Sequence, residues 1–214
     1  MSEVELRARI VRVAQAMDRA GFAPSKSGNV SARLGDGLLI TPSGLPYADT
    51  KPDDLVTLDL DGTVRGGTRK PSSEWPFHTA IYRARPDAGA IVHTHSPRAT
   101  ALSCARRGLP AFHYMIALCG GADVRCADYA TFGGTALADN AVRALEGRKA
   151  ALLANHGVIA LGATLEGAYT VAAEVENLAG QYLDLLAAGL EPVILDAQEM
   201  ARVAERFAGY GKVA

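Results

Sequence analysis

The stretch AIVHTH at residues 90–95 decides how the rest of this chain is organised. An apolar run of this length is typical of a buried β-strand, in which successive side chains point to opposite faces of the sheet. We therefore expect His93 and His95 on one face, with Val92 and Thr94 on the other. Two imidazoles on one face of a buried strand predict half of a metal site, because burying them without a partner costs desolvation energy.

A second stretch, LLANHG at residues 152–157, places a third histidine at the end of another apolar run. We expect His156 to end this strand and Gly157 to let the backbone turn away, which leaves the imidazole at the strand's tip. Three imidazoles are the donor number of a catalytic zinc with an open position. Ligand type favours Zn²⁺ and leaves Co²⁺ or Mn²⁺ as alternatives. The other histidines, His78 and His113, are expected to be ordinary core or surface residues.

Length and composition indicate a globular protein without an extended charged surface. The chain has 214 residues, which suits one domain or at most two small ones. Its 22 basic and 23 acidic residues give a net charge of −1, so we predict no nucleic-acid partner. Three cysteines without C-x-x-C spacing argue against a disulfide framework. We find no leader and no apolar span, which predicts a cytoplasmic protein without a membrane partner.

Hairpin signals and helical patterns alternate along the chain. They predict an α/β fold in which helices cover a mixed central β-sheet, as a single domain over residues 1–214. Ser73 is expected to cap a helix that Glu74 opens. Residues 111–117 are expected to form a short strand.

Three short loops combine small residues with hydrogen-bond donors. They contain Gly28 and Asn29, Ser43 and Gly44, and Ser72 and Ser73. Backbone N–H groups in such loops can approach a phosphate closely. Each pair alone also fits an ordinary turn, but three pairs in a chain with a metal site favour a phosphorylated substrate. Glu74 follows the last pair, either as a solvated carboxylate at a helix end or as part of the site.

Five motifs follow one another along the chain. They are PSSEW at 71–75, IVHTH at 91–95, HYMIA at 113–117, ATFG at 130–133 and NHG at 155–157. In this order and spacing they resemble the motifs of the zinc-dependent class II aldolases, which belong to the aldolase/epimerase and adducin-head family. The likeness extends from residue 27 to residue 211 and implies the single-domain fold of that family.

The resemblance implies a role for each matching residue. His93, His95 and His156 would bind zinc, with Glu74 as a fourth ligand that becomes the catalytic acid/base when substrate displaces it. The phosphate-binding positions would be Gly28, Asn29, Ser43, Gly44, Ser72 and Ser73. Tyr114 would reach the active site of a neighbouring subunit and protonate the aldehyde oxygen, and Phe132 and Tyr210 would shape the aldehyde pocket. The family forms homotetramers with active sites at subunit interfaces.

The resemblance also implies a reaction. A ketose 1-phosphate, such as L-fuculose 1-phosphate or a related 5-deoxypentulose 1-phosphate, would be cleaved reversibly to dihydroxyacetone phosphate and an aldehyde such as L-lactaldehyde. Alternatives on the same scaffold are a sugar-phosphate epimerase, a decarboxylase and a methylthioribulose-1-phosphate dehydratase. Epimerases of the family carry Asp where this chain has Glu74, which favours cleavage. A non-catalytic adducin-like scaffold is a further alternative, and the retained histidines argue against it.

Overall fold

Eight strands form one sheet in the part of the chain that the structure describes, residues 1–209 of a computed structural model. Of residues 208 and 209 only the backbone is described. The strands are β1 (Asn29–Leu34), β2 (Gly37–Ile40), β3 (Val56–Asp59), β4 (Val64–Gly66), β5 (Ala90–Thr94), β6 (Arg125–Ala127), β7 (Ala150–Leu153) and β8 (Gly157–Gly162). Their order across the sheet is β4-β3-β2-β1-β5-β8-β7-β6. Neighbours pair antiparallel except β6 and β7, which are parallel, so the predicted mixed sheet is confirmed.

Helices cover both faces of this sheet, as the sequence predicts. They are α1 (Glu3–Arg19), α2 (Trp75–Ala84), α3 (Pro97–Cys104), α4 (Thr135–Ala144), α5 (Leu165–Ala187) and α6 (Ala197–Gly209). The apolar faces of α1, α3 and α5 pack on one side of the sheet, and those of α2 and α4 on the other. Among the described helices none is long and apolar enough to cross a membrane.

Strand β5 lies at the centre of the sheet between β1 and β8, and all five of its residues are buried. Its side chains alternate as predicted, because Val92 belongs to the core under α1 and α5 while Ile91 belongs to the core under α2 and α4. His93 is on the same face as Ile91, and its ring lies edge-on against Phe77 of α2 at a centroid distance of 5.3 Å. The imidazole is therefore held between the sheet and one helix.

Two local predictions are wrong. Residues 111–117 do not form a strand; Tyr114–Cys119 is a 3₁₀ helix, because the His113 side chain accepts a hydrogen bond from the Met115 N–H at its start. Helix α2 begins at Trp75 with Glu74 rather than Ser73 in the N-cap position, and the Glu74 side chain makes no capping bond.

Candidate active site

Strand β5 brings two of the predicted metal-binding histidines together. His93 lies in the strand and His95 directly after it, and their Nε2 atoms are 3.0 Å apart. The Nδ1–H of the fully buried His93 donates to the carbonyl oxygen of Val158 in β8 at 2.8 Å. Because this bond places the ring proton on Nδ1, the lone pair of His93 Nε2 points into the cluster.

His156 lies in the turn between β7 and β8 rather than at the end of a strand. Asn155 makes this turn with a φ of 54°, and its N–H donates to the carbonyl oxygen of Ser103 at 3.1 Å. The predicted role of Gly157 is wrong, because Gly157 opens β8 without a positive φ. A Cβ at Gly157 would lie 2.3 Å from the carbonyl oxygen of Thr94, so the glycine allows β8 to approach β5 closely.

Glu74 extends from the start of α2 into the histidine cluster. One of its carboxylate oxygens lies 3.1 Å from His93 Nε2, and the other lies 2.9 Å from His156 Nε2. The side-chain amide of Asn29 donates to the first oxygen at 2.9 Å. With only 7% of its surface exposed, Glu74 is held by these protein groups rather than by water.

The four side chains fit a metal ion. One ligand atom each of Glu74, His93, His95 and His156 lies within 4.8 Å of all the others. Imidazole and carboxylate groups together suit Zn²⁺ and other divalent transition metals. Nitrogen lone pairs that face one another at 3.0 Å repel unless a proton or a cation lies between them. A cation at the centre of the cluster satisfies all four groups at once.

Electrostatics favour the metal-binding protonation state of two cluster residues, His95 and Glu74. Burial, followed by the neighbouring His93 and His156, lowers the pKa of His95 to about 3. Burial of Glu74 favours its neutral form, but His93 and His156 outweigh burial and hold the pKa of this carboxyl well below its usual range. Metal ligands must be neutral imidazoles and ionised carboxylates, and the shifts at His95 and Glu74 favour these forms of the two side chains.

The three donor-rich loops line a cavity of about 310 Å³ that opens beside the cluster. All six residues predicted to bind phosphate are in its wall, together with Glu74, His95 and His156. Phe132, predicted for the aldehyde pocket, also lines the cavity and is 66% exposed. The structure thus brings the predicted phosphate loops, three of the four cluster residues and one aromatic residue of the predicted aldehyde pocket into a single pocket.

Close packing and hydrogen bonds fix the loops in place. Gly28 has a φ of 77°, and a Cβ there would lie 2.5 Å from the carbonyl oxygen of His93. The buried hydroxyl of Tyr47 donates to the Gly28 carbonyl at 2.6 Å. Backbone hydrogen bonds join residues 41–43 to residues 70–72. Each loop is therefore anchored to the strands that carry the histidines or to its neighbouring loop.

Tyr114, another predicted site residue, does not line this pocket. Tyr114 lies in the 3₁₀ helix, 51% exposed, and stacks on Phe207 of α6 at a centroid distance of 6.3 Å. It borders a different cavity, between the 3₁₀ helix and α6. Tyr210 lies outside the described residues.

Sequence reasoning missed three residues. Lys26 and Tyr129 line the pocket, and Lys26 adopts a φ of 67°. His78 is a core histidine as predicted, but it also contacts Asn29, which in turn contacts Glu74. The signal for His78 was its position four residues after Glu74, a spacing that places both on one face of a helix.

Three imidazoles, from the end of β5 and from the turn before β8, and a carboxylate from the start of α2 meet beside a polar pocket, and they define a protein with a candidate metal centre. A family model described as "Class II Aldolase and Adducin N-terminal domain" matches residues 8–183. The chain belongs to this class II aldolase family and is an enzyme of the aldolase class, that is, a lyase.

Relatives with curated names support this assignment. The chain is 52% identical over 210 residues to a 5-methylthioribulose-1-phosphate/5-deoxyribulose-1-phosphate aldolase of Rhodospirillum rubrum, covering 98% of this chain and 94% of that protein. It is 45% identical over 211 residues to an L-fuculose phosphate aldolase of Escherichia coli O6:H1, covering 99% and 98%. A solved L-fuculose 1-phosphate aldolase matches with a TM-score of 0.91 at 41% identity, covering 95% and 96%. The family resemblance is confirmed, and these findings give no support to an adducin-like scaffold.

Proposed function

We propose that this protein is a Zn²⁺-dependent aldolase that reversibly cleaves a ketose 1-phosphate to dihydroxyacetone phosphate and an aldehyde. The observation that carries the proposal is the Glu74 carboxylate, which contacts two of three clustered imidazoles in a pocket walled by donor-rich loops. A base beside a metal centre suits proton removal next to a carbonyl group. The loops suit the phosphate of the same substrate.

The names of two relatives support two kinds of sugar phosphate as candidate substrates. One relative is named for 5-methylthioribulose 1-phosphate and 5-deoxyribulose 1-phosphate, and another for L-fuculose phosphate. These substrates differ at the end farthest from the phosphate. The exposed rings of Phe132 and Tyr129 at the pocket rim offer apolar surface to that end. We therefore propose the 5-deoxy and 5-methylthio pentulose phosphates and L-fuculose 1-phosphate as equally ranked candidate substrates.

We assign metal binding and phosphate binding to two separate groups of residues. His93, His95 and His156 would hold the metal, with Glu74 as a fourth ligand that substrate releases. A bound divalent cation supplies Lewis-acid stabilisation of the negative charge that develops at the substrate's carbonyl oxygen. The six loop residues would hold the phosphate, and this remote binding energy positions the reacting carbons.

Two proton transfers complete the proposed mechanism. In the condensation direction Glu74 removes a proton from the carbon beside the carbonyl of dihydroxyacetone phosphate, and cleavage returns it. Tyr114 would protonate the aldehyde oxygen. Because Tyr114 of this chain lies outside the pocket that contains Glu74, we propose that it acts in a neighbouring copy, within a homotetramer with sites at subunit interfaces.

A substrate panel tests the proposal. The purified enzyme, with its metal content measured, is incubated with L-fuculose 1-phosphate, 5-deoxyribulose 1-phosphate and 5-methylthioribulose 1-phosphate. We expect dihydroxyacetone phosphate from at least one of them, and kcat/KM ranks the three. A product with an intact carbon skeleton would instead indicate an epimerase or a dehydratase, and loss of carbon dioxide from an acid substrate would indicate a decarboxylase.

A further inference from the structure

A chain of buried polar side chains leads from the interior of the protein to Glu74. It runs from Tyr82 through Ser31, His78 and Asn29, and each of these four side chains is at most 2% exposed. The hydroxyl oxygens of Tyr82 and Ser31 lie 2.9 Å apart, and Ser31 Oγ lies 2.7 Å from His78 Nδ1. His78 Nε2 contacts Asn29 Oδ1, and Asn29 Nδ2 donates to Glu74 at 2.9 Å.

Helix α2 and strand β1 place these hydrogen-bonded side chains next to one another. Residues 78 and 82 are spaced by four, so they lie on one face of α2, and Glu74 is the N-cap residue four positions before His78. Asn29 and Ser31 are spaced by two, so they share one face of β1. Because α2 packs over the sheet, the two polar stripes interlock in a region that is otherwise apolar. Polar groups buried in this way persist when every member has a partner.

The carboxylate fixes the direction of every hydrogen bond. An ionised carboxylate only accepts, so Asn29 must turn its NH₂ group to Glu74 and its oxygen to His78. His78 Nε2 must then carry the proton. A neutral His78 has a lone pair on Nδ1, so Ser31 donates to it and accepts from Tyr82. Burial keeps His78 neutral by lowering its pKa to about 3.

We propose that His78 is a positioning residue of the aldolase site: as the neutral Nε2–H tautomer, it holds the Asn29 amide so that its NH₂ group supports the Glu74 carboxylate. This inference rests on the proposed role of Glu74. Without the Nε2–H donor the Asn29 amide is free to rotate and to turn its oxygen towards the carboxylate. Glu74 would then lose a hydrogen bond that favours its ionised form and its orientation towards the substrate.

Two substitutions at His78 separate positioning from packing. The amide NH₂ of glutamine can replace the Nε2–H donor, whereas asparagine is too short to reach Asn29. We expect kcat of H78N to fall about tenfold or more. H78Q should recover most of kcat, and KM and bound metal should change little in both variants. The control is T79V, which removes a buried hydroxyl that donates to the Pro76 carbonyl within α2 and should leave kcat unchanged.

A spectroscopic measurement tests the tautomer without the reaction. In the ¹⁵N NMR spectrum of histidine-labelled protein, we expect His78 as a neutral imidazole protonated on Nε2 at neutral pH, assigned by comparison with H78Q. An Nδ1–H tautomer, or equal losses of kcat in H78Q and H78N, would overturn the proposal. If no sugar phosphate is cleaved by the wild type, the proposed function fails, and the tautomer is still decided by NMR.

Should H78N not fold, S31A takes its place. It withdraws the donor from His78 Nδ1, so we expect the Nδ1 resonance to move and kcat to fall several-fold with bound metal retained. An unchanged kcat and an unmoved Nδ1 resonance in S31A would contradict the proposed hydrogen-bonded chain.

Discussion

The metal cluster and the region around Tyr114 differ in how the fold holds them. Glu74 and His93 are buried and come from the start of a helix and a central strand, and each has several hydrogen-bond partners. Tyr114 is half exposed on a six-residue 3₁₀ helix and packs against α6 near the end of the described chain. The scaffold of one copy thus fixes the groups proposed for metal binding and proton abstraction, but it leaves Tyr114 at its surface.

This contrast separates groups that one copy holds rigidly from groups that it leaves exposed. Groups that must be placed within a few tenths of an ångström are carried by rigid elements. Phe132, proposed for the aldehyde pocket, and Tyr114, proposed to protonate the aldehyde oxygen, lie at exposed positions where sequence change costs little stability. Mutations in the two regions should therefore differ in their effects on metal content and on kcat.

Removing one imidazole should have the largest effect. In H95A we expect the metal content to fall and sugar-phosphate cleavage to approach the uncatalysed rate, because two imidazoles and a carboxylate bind a divalent ion more weakly than three imidazoles and a carboxylate. Metal analysis by mass spectrometry and an activity assay check this. H113Q, which alters a histidine outside the cluster, should keep its metal. Full metal content and full activity in H95A would exclude His95 as a ligand.

Replacing the proposed base should be the next largest loss. E74Q keeps the size of the side chain and removes its basicity, so we expect kcat to fall about 10²–10⁴-fold. Exchange of the dihydroxyacetone phosphate C–H proton with solvent deuterium, followed by NMR, should fall in parallel. If E74Q still exchanged this proton at the wild-type rate, another group would be the base.

Tyr114 tests whether the site is shared between copies. Y114F should lose kcat by about 10²-fold while keeping its metal. E74Q and Y114F subunits are mixed in equal amounts, unfolded together and reassembled. Roughly a quarter of the active sites should then combine Glu74 of one copy with Tyr114 of another and regain activity. If the mixture were as inactive as its two components, Tyr114 would not act in the active site of a neighbouring copy.

The same two regions show how much the sequence could predict. The pairing of His93 with His95 follows from the alternation of a single strand, and Glu74 and the loops follow from local donor patterns. The role of His78 depends on α2 packing over β1, a contact between residues 47 positions apart for Ser31 and 49 for Asn29. The 3₁₀ helix begins with a hydrogen bond from the Met115 N–H to the His113 side chain, a local contact that the strand-like composition of residues 111–117 does not reveal.

Protonation of His78 should make the metal-free protein sensitive to acid. Folded His78 has a pKa of about 3, against 6.5 for an exposed histidine, so below pH 6.5 the unfolded state binds the additional proton. The free energy of unfolding should therefore decrease as pH falls, and His78 should account for about 2 kcal/mol of the decrease between pH 7 and pH 5. Urea unfolding in the presence of a chelator, at both pH values, measures this change. H78Q should show a smaller decrease than the wild type, and equal decreases would mean that His78 is not buried as a neutral group.

Substitution of Lys26 should have the smallest effect on activity, and high salt should abolish it. It is the only Lys or Arg side chain among the described residues that line the pocket, so we expect it to attract the substrate's phosphate. Because Lys26 is exposed, K26Q should raise KM only by about three- to tenfold at low ionic strength, and the difference should shrink as salt approaches 0.5 M. K26R retains the charge and serves as the control. A KM in K26Q that matches the wild type at low salt would mean that backbone amides and hydroxyls alone hold the phosphate, which would confine the binding energy to the rigid loops beside the metal cluster.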